Sequence, residues 1–240
     1  VRVSIMEDVP SGAGNSMRGS VWLAVTTAVT KGWGDGPLII RGSGDVSFEK
    51  AFTAAGNLAI SGSGSSNTLR FKKSFVASVA NVWISHSGGG MSLVFEDNCT
   101  GAVALSLADG SADFYGTENV FSTLRVATPT RFHKENSLTA AAVSFTKSGG
   151  WLDLCGCDQT VNAPVSDSDG LSNYGVRSDT LAQLKLVGNN ARLDGFRGVF
   201  AGCAGFHWSH NGYSPTFDGG IHTTHGVFSV EGTGSIELKN

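Results

Sequence analysis

The chain has 240 residues, a formal net charge of -3, 33 glycines, only 5 prolines and 15% charged residues. That composition is long enough for one large core and argues against disorder. A pI near 6.1 leaves no basic footprint for nucleic acid or an anionic membrane. No apolar run approaches the roughly 18 residues that a membrane span requires. Four cysteines, Cys99, Cys155, Cys157 and Cys203, are too few and too dispersed for a disulfide scaffold.

In chain order, residues 1–37 hold the alternating run Val1-Arg-Val-Ser-Ile5, a Pro/Gly/Ser loop and the run from Ser20 to Val29. β-Branched content favours strand for the second run, with a short helix as the alternative. Lys31-Gly-Trp-Gly-Asp-Gly-Pro37 breaks any regular element, so residues 1–37 are expected as an irregular N-terminal part or a first rung. From there one pattern recurs: an apolar residue, a Gly-x-Gly turn, then alternating apolar and polar positions. It reads Ile40-Arg-Gly-Ser-Gly-Asp-Val-Ser-Phe-Glu49 and Ile60-Ser-Gly-Ser-Gly-Ser-Ser-Asn-Thr-Leu-Arg-Phe71, returns in looser form near Leu107, Phe145 and Leu186, and closes as Ser229-Val-Glu-Gly-Thr-Gly-Ser-Ile-Glu-Leu-Lys-Asn240. The turn glycines Gly44, Gly64, Gly89 and Gly110 step by about twenty residues. Such a period without amphipathic helices predicts an all-β fold, a parallel β-helix solenoid in which residues 1–240 form a single domain with rungs of about 20 residues. Phe48, Leu58, Phe71, Phe95, Leu107, Leu154, Leu186 and Ile236 are expected in its stacked core. Turn asparagines (Asn67, Asn98, Asn119, Asn189) are expected to satisfy local backbone groups. If Cys155-Gly-Cys157 lies on a strand, both thiols share one face as small buried hydrophobes, with a disulfide or a metal site as alternatives.

The run Gly150-Trp-Leu-Asp-Leu-Cys-Gly-Cys-Asp-Gln-Thr-Val161 resembles the passenger-associated repeat of autotransporter proteins, which typically reads Gly-x-Leu-Asp-Leu-Asn-Gly-x-x-Gln-Thr-Val. Leu184-Lys-Leu-Val-Gly188, Phe196-Arg-Gly-Val-Phe200 and Gly232-Thr-Gly-Ser-Ile-Glu-Leu238 follow in the family's order. The resemblance covers residues 143–200 and 226–240 well and 38–73 loosely. It implies a right-handed parallel β-helix exported to the bacterial surface and built to display loops; the chain is expected to be a surface or secreted segment of a longer polypeptide. The chain departs from the motif at Cys155 and Cys157, and residues 205–225 stand where the family has a short connection.

Gly188 to Gly234 is longer than the two preceding glycine intervals, so residues 205–225 are expected to protrude as a loop. It carries His207, Trp208, His210, Tyr213, His222 and His225, the candidate binding residues. They are read as surface or turn residues, against a metal site or aromatic contacts to a glycan. No catalytic residue, metal ligand or cofactor is assigned. The functional expectation is a non-catalytic passenger segment, adhesive or structural, whose partner is a host or cell-surface glycan or protein. The alternative is a polysaccharide-binding or polysaccharide-degrading β-helix, a lyase, hydrolase or tailspike-like protein, which needs converging carboxylates. Asp153, Asp158, Asp167, Asp169, Asp179 and Asp194 are scattered along the chain.

Overall fold

The alternating runs form short parallel strands that stack, coil upon coil, into a β-solenoid, with no helix among the described residues. The structure, a computed structural model, describes residues 21–25, 29–31, 38–41, 44–54, 58–63, 67–77, 81–87, 91–107, 110–188, 191, 193, 196–210, 216–217, 219–232 and 237–238. Ten strands form the path of sheet one: Val21–Val25, Gly44–Phe48, Asn67–Phe71, Met91–Phe95, Ser111–Phe114, Thr130–Phe132, Trp151–Asp153, Gly175–Val187, Val199–His210 and Ile221–Thr223. Sheet two holds other sides of the coil. Its strand Cys99–Leu107 turns a corner, pairing first with Phe75–Ala77 and then with Asn81–Ser87. In the later coils sheet one itself turns a corner, Gly175–Val187 pairing first with Trp151–Asp153 and then with Gln159–Val161.

Every pairing among these strands is parallel, as expected when each coil lays its strands on those of the coil before. The advance per coil varies. Val21 lies beside Gly44 and Gly44 beside Asn67, 23 residues each; Ala112 lies beside Thr130 after 18, and Gln159 beside Leu184 after 25. The rungs, expected at about 20 residues, come to about 22. Turns change length while strand positions hold register.

Register puts like upon like inside. Phe48, Phe71, Phe95, Phe114 and Phe132 form one inner column, their rings stacked at centroid distances of 5.2, 5.1, 4.8 and 4.9 Å. Phe52 and Phe75 stack beside it at 5.3 Å and meet its rings edge-on. Offset stacks and edge-to-face contacts are the favoured aromatic geometries, each adding about 0.5–1.5 kcal/mol to the burial itself. Of the expected core, Phe48, Phe71, Phe95, Leu154 and Leu186 are buried. The side chains of Leu58, Leu107 and Ile236 lie outside the described ones.

Two of the buried polar residues, Asn119 and Gln159, complete hydrogen-bond ladders at a corner of the coil. At the corner leaving sheet one, Phe52 and Phe75 donate their N–H groups to the main-chain carbonyls of Ser74 and Asn98. One coil later the Cys99 N–H donates instead to Asn119 Oδ1 (3.1 Å), and further on the Leu138 N–H donates to Gln159 Oε1 (3.0 Å). Both amides are fully buried, and each spends its NH2 on carbonyls of its own corner or a neighbouring one: Asn119 on Gly116, Gln159 on Lys134 and Cys157. Asn119 therefore does satisfy backbone, though from a strand position rather than a turn. Asn98 does so from a turn, accepting from the Glu118 N–H at 3.0 Å.

Residues 205–225 do not leave the stack as a unit, which corrects the expected loop. Residues 205–210 continue the strand Val199–His210, with 205–209 paired to Gln183–Val187 and 206–210 to Phe228–Gly232; Ile221–Thr223 pairs with Phe200–Gly202. The apparent excess arose from comparing unlike glycines: Trp151 lies beside Gly175, which puts Gly149 level with Asn173, so Gly149 to Gly188 is not a whole number of coils. Val187 lies beside Ser209 and Ser209 beside Glu231, two advances of 22, so the counterpart of Gly188 is Gly232 rather than Gly234.

Two substitutions test this core. Phe95→Ala opens a gap in the aromatic column and is expected to cost about 3–5 kcal/mol. Asn119→Leu strands the Cys99 N–H and is expected to cost about 1–3 kcal/mol despite its apolar gain. Urea denaturation followed by circular dichroism reads both.

Candidate functional site

Because strand residues alternate in and out, the outer face of sheet one is written by every second residue, and register aligns these into rows. The middle row runs Arg70, Val94, Asp113, Arg131, Asp153, Arg177, Ala201, His222. Its centre is an alternating charge ladder. Arg131 Nη1 donates to Asp113 Oδ2 at 3.2 Å, its Nε lies 4.0 Å from Asp153 Oδ2, and Arg177 Nε donates to that same oxygen at 3.0 Å. His133 Nε2 meets Asp113 Oδ1 at 2.9 Å. The carboxylates sit low in the row, with 16% and 10% of the Asp113 and Asp153 side chains exposed, while the guanidiniums reach over them at 31% and 35%.

Aromatic rings flank the ladder on both sides. Tyr115 and His133, which follow Phe114 and Phe132 on successive coils, stack at 4.2 Å with their planes 2° apart. On the other side the Arg177 guanidinium carbon lies 5.6 Å from the centre of the Trp151 ring, a cation–π contact. Burial, and then the Asp113 charge, push the Tyr115 hydroxyl above its ordinary pKa. The phenol therefore stays neutral and can both donate and accept.

The residues singled out from sequence are separated by this geometry. Trp208 faces inward and is fully buried on the column Leu186–Trp208–Val230. His207 faces outward on a different side of the coil, its Nδ1 2.7 Å from Ser229 Oγ and its Nε2 3.9 Å from Glu231 Oε2. His222 lies on the outer face of sheet one, in the row of Arg177, and His225 is exposed in the turn that follows. The backbone of His210 ends its strand; its side chain and all of Tyr213 lie outside the described residues. Among the described residues no group of three His, Cys, Asp or Glu is placed to hold a metal.

Of the other sequence candidates, Asp158, Asp167 and Asp169 have structural partners, Asp179 is exposed, and Asp194 lies outside the described residues. Asp158 accepts from the Gln183 N–H at 2.8 Å and pairs with Lys185 at 2.6 Å. Asp167 occupies an inner column above Val126 and Phe145, where no part of its side chain is exposed. The Tyr174 hydroxyl donates to it at 2.6 Å, and Arg197 reaches it through main-chain N–H and guanidinium and also spans to Asp169 at 2.8 Å. That clasp closes a column with charge and leaves no approach for a substrate. Asp113, the carboxylate that does face outward beside Asp153, was not among the sequence candidates. Finding it required knowing that two successive coils advance by 18 and then 22 residues.

The cysteines are free. Cys155 and Cys157 are not on a strand: they lie in the turn between Trp151–Asp153 and Gln159–Val161, so alternation does not place them on a common face. Cys155 and Gly156 both have positive φ, 50° and 77°, the signature of a type I′ turn, which prefers Asn-Gly. The Cys155 N–H donates to Asp153 Oδ1 at 3.1 Å, which holds the turn. Burial, and then the Asp153 carboxylate, push the Cys155 thiol up to about 12; burial also raises Cys157 and, more strongly, Cys99.

Cys155→Asn places a residue suited to left-handed geometry in that turn and is expected to stabilise the fold by about 0.5 kcal/mol, read by thermal melting. Since the thiolate is the nucleophile, the raised thiols at positions 99, 155 and 157 are expected to alkylate with iodoacetamide at pH 8 at least roughly tenfold more slowly in the folded chain than in urea, measured peptide by peptide by mass spectrometry. Compared with known proteins, the chain matches no family model, no curated protein and no solved structure.

Proposed function

We propose that this chain is a non-catalytic segment of a bacterial surface or secreted protein, and that it adheres through the outer face of its solenoid. The observation that carries this reading is the ladder on sheet one: its chemistry-bearing side chains are spread over successive coils and tied to one another instead of converging on a cleft. The resemblance of residues 150–161 to the passenger-associated repeat supports the exported setting.

A carbohydrate-degrading β-helix is the rival, and Asp113 with Asp153 is the pair it would use. Two coils separate them, about 10 Å at the usual strand spacing, with Arg131 between. Glycosidases hold their carboxyl groups about 5–9.5 Å apart, one of them protonated as the general acid. Here each carboxylate is tied into an ion pair with an arginine, an arrangement that suits recognition better than catalysis.

The full-length protein, expressed in its own host, is expected to be cleaved by protease added to intact cells or to be recovered from the medium. Retention inside the cell overturns the exported reading. Incubated with a polysaccharide panel, the chain is expected to release neither reducing ends nor unsaturated sugars; release abolished by Asp113→Asn or Asp153→Asn establishes the enzyme instead.

A further inference from the structure

We propose that the ladder centred on Arg131 is a binding site for a neutral oligosaccharide, laid obliquely across three coils from Trp151 to Tyr115. This deepens the adhesive reading and rests on it.

Charge argues for a neutral ligand. Two carboxylates and two guanidiniums compose the ladder, so their formal charges cancel and neither a polyanion nor a polycation gains from the array as a whole. What the ladder offers is direction: acceptor, donor, acceptor, donor along the solenoid axis, one group per strand and therefore about 4.8 Å apart. A sugar hydroxyl both donates and accepts, and a pyranose presents such groups at neighbouring carbons. Carboxylates and guanidiniums make the stronger, charge-assisted hydrogen bonds. Arg177 engages Asp153 only through Nε, so its Nη groups point past the pair and remain as donors.

Apolar contact comes from the ends. Tyr115 is 42% exposed, with one face on His133, and Trp151 is half-buried beneath Arg177. The two belong to coils two apart and to rows four residues apart. By strand spacing and rise they lie roughly 16 Å from each other, with Arg131 near the midpoint, a span of a few pyranose rings. Val94 and Ala201 end the polar row on either side, giving the site definite limits. Side chains fixed on strands and tied by ion pairs lose little freedom when a ligand arrives, which favours binding.

Calorimetry with short cello-, manno- and chito-oligosaccharides, and with polygalacturonate and heparin as anionic arms, tests the proposal. At least one neutral series is expected to bind with an affinity that does not change between low and high salt. Trp151→Ala and Tyr115→Ala are each expected to weaken it at least about tenfold, and Arg131→Lys, which keeps the charge and loses the planar fork, to weaken it as well. Leu181→Ser, on an exposed residue away from the face, is expected to change nothing, and circular dichroism confirms that each variant is folded. Binding of the anionic arms alone, lost in salt, overturns the proposal, as does neutral binding that survives both aromatic substitutions. If no glycan binds while the chain still adheres to cells, the ligand class is wrong and adhesion stands; if adhesion fails too, the functional reading falls with it.

Discussion

Register is the constraint on which this molecule depends. A parallel coil places each side chain directly over its counterpart from the preceding coil, so the choice of residue at one position sets what the next can be. The column from Phe48 to Phe132 shows the favourable outcome: each ring is packed by a ring, and the same hydrogen bonds that hold the strands hold the stacks in line. Outside, the identical constraint turns Asp113, Arg131, Asp153 and Arg177 into a ladder. Half-exposed ion pairs of this kind contribute little to stability singly. Their effect is to hold polar groups in a fixed order on a surface that cannot rearrange.

The fold was legible because alternation and turn residues recur, and neither needs an accurate period. Phe48, Phe71 and Phe95 announce themselves as apolar positions in alternating runs, and they are core. What failed was counting between glycines. Gly149, Gly188 and Gly234 look alike in sequence, yet they stand at different points of the coil, and comparing their spacings turned a strand into an expected loop. The run Gly205-Phe-His-Trp-Ser-His210 carried the better signal: Phe206 and Trp208 alternate with His207 and Ser209, and the structure buries the first pair and turns the second outward.

The site was less legible than the fold, for a physical reason. An outer row brings together residues that share no local motif, since Asp113, Arg131 and Asp153 are neighbours only through coil lengths of 18 and 22. Turn lengths set those advances, and turns are where sequence constrains length least. The histidines drew attention by their density, but they occupy different sides of the coil.

The buried amides of Asn119 and Gln159 bear on how such a chain can change. The corners 96–98 and 133–137 meet a neighbouring coil through a main-chain carbonyl, that of Asn98 and of Ser137, whereas the corners 115–118 and 154–158 leave that bond to a side chain. A side-chain amide reaches farther than the peptide it replaces and carries its own donor. With one kind of acceptor or the other, corners of three to five residues are accommodated while the strands on either side stay where they were. Coil length becomes a variable that can drift independently of the core, and with it the set of outward residues that come to lie side by side, so new surfaces can be assembled on an unaltered interior.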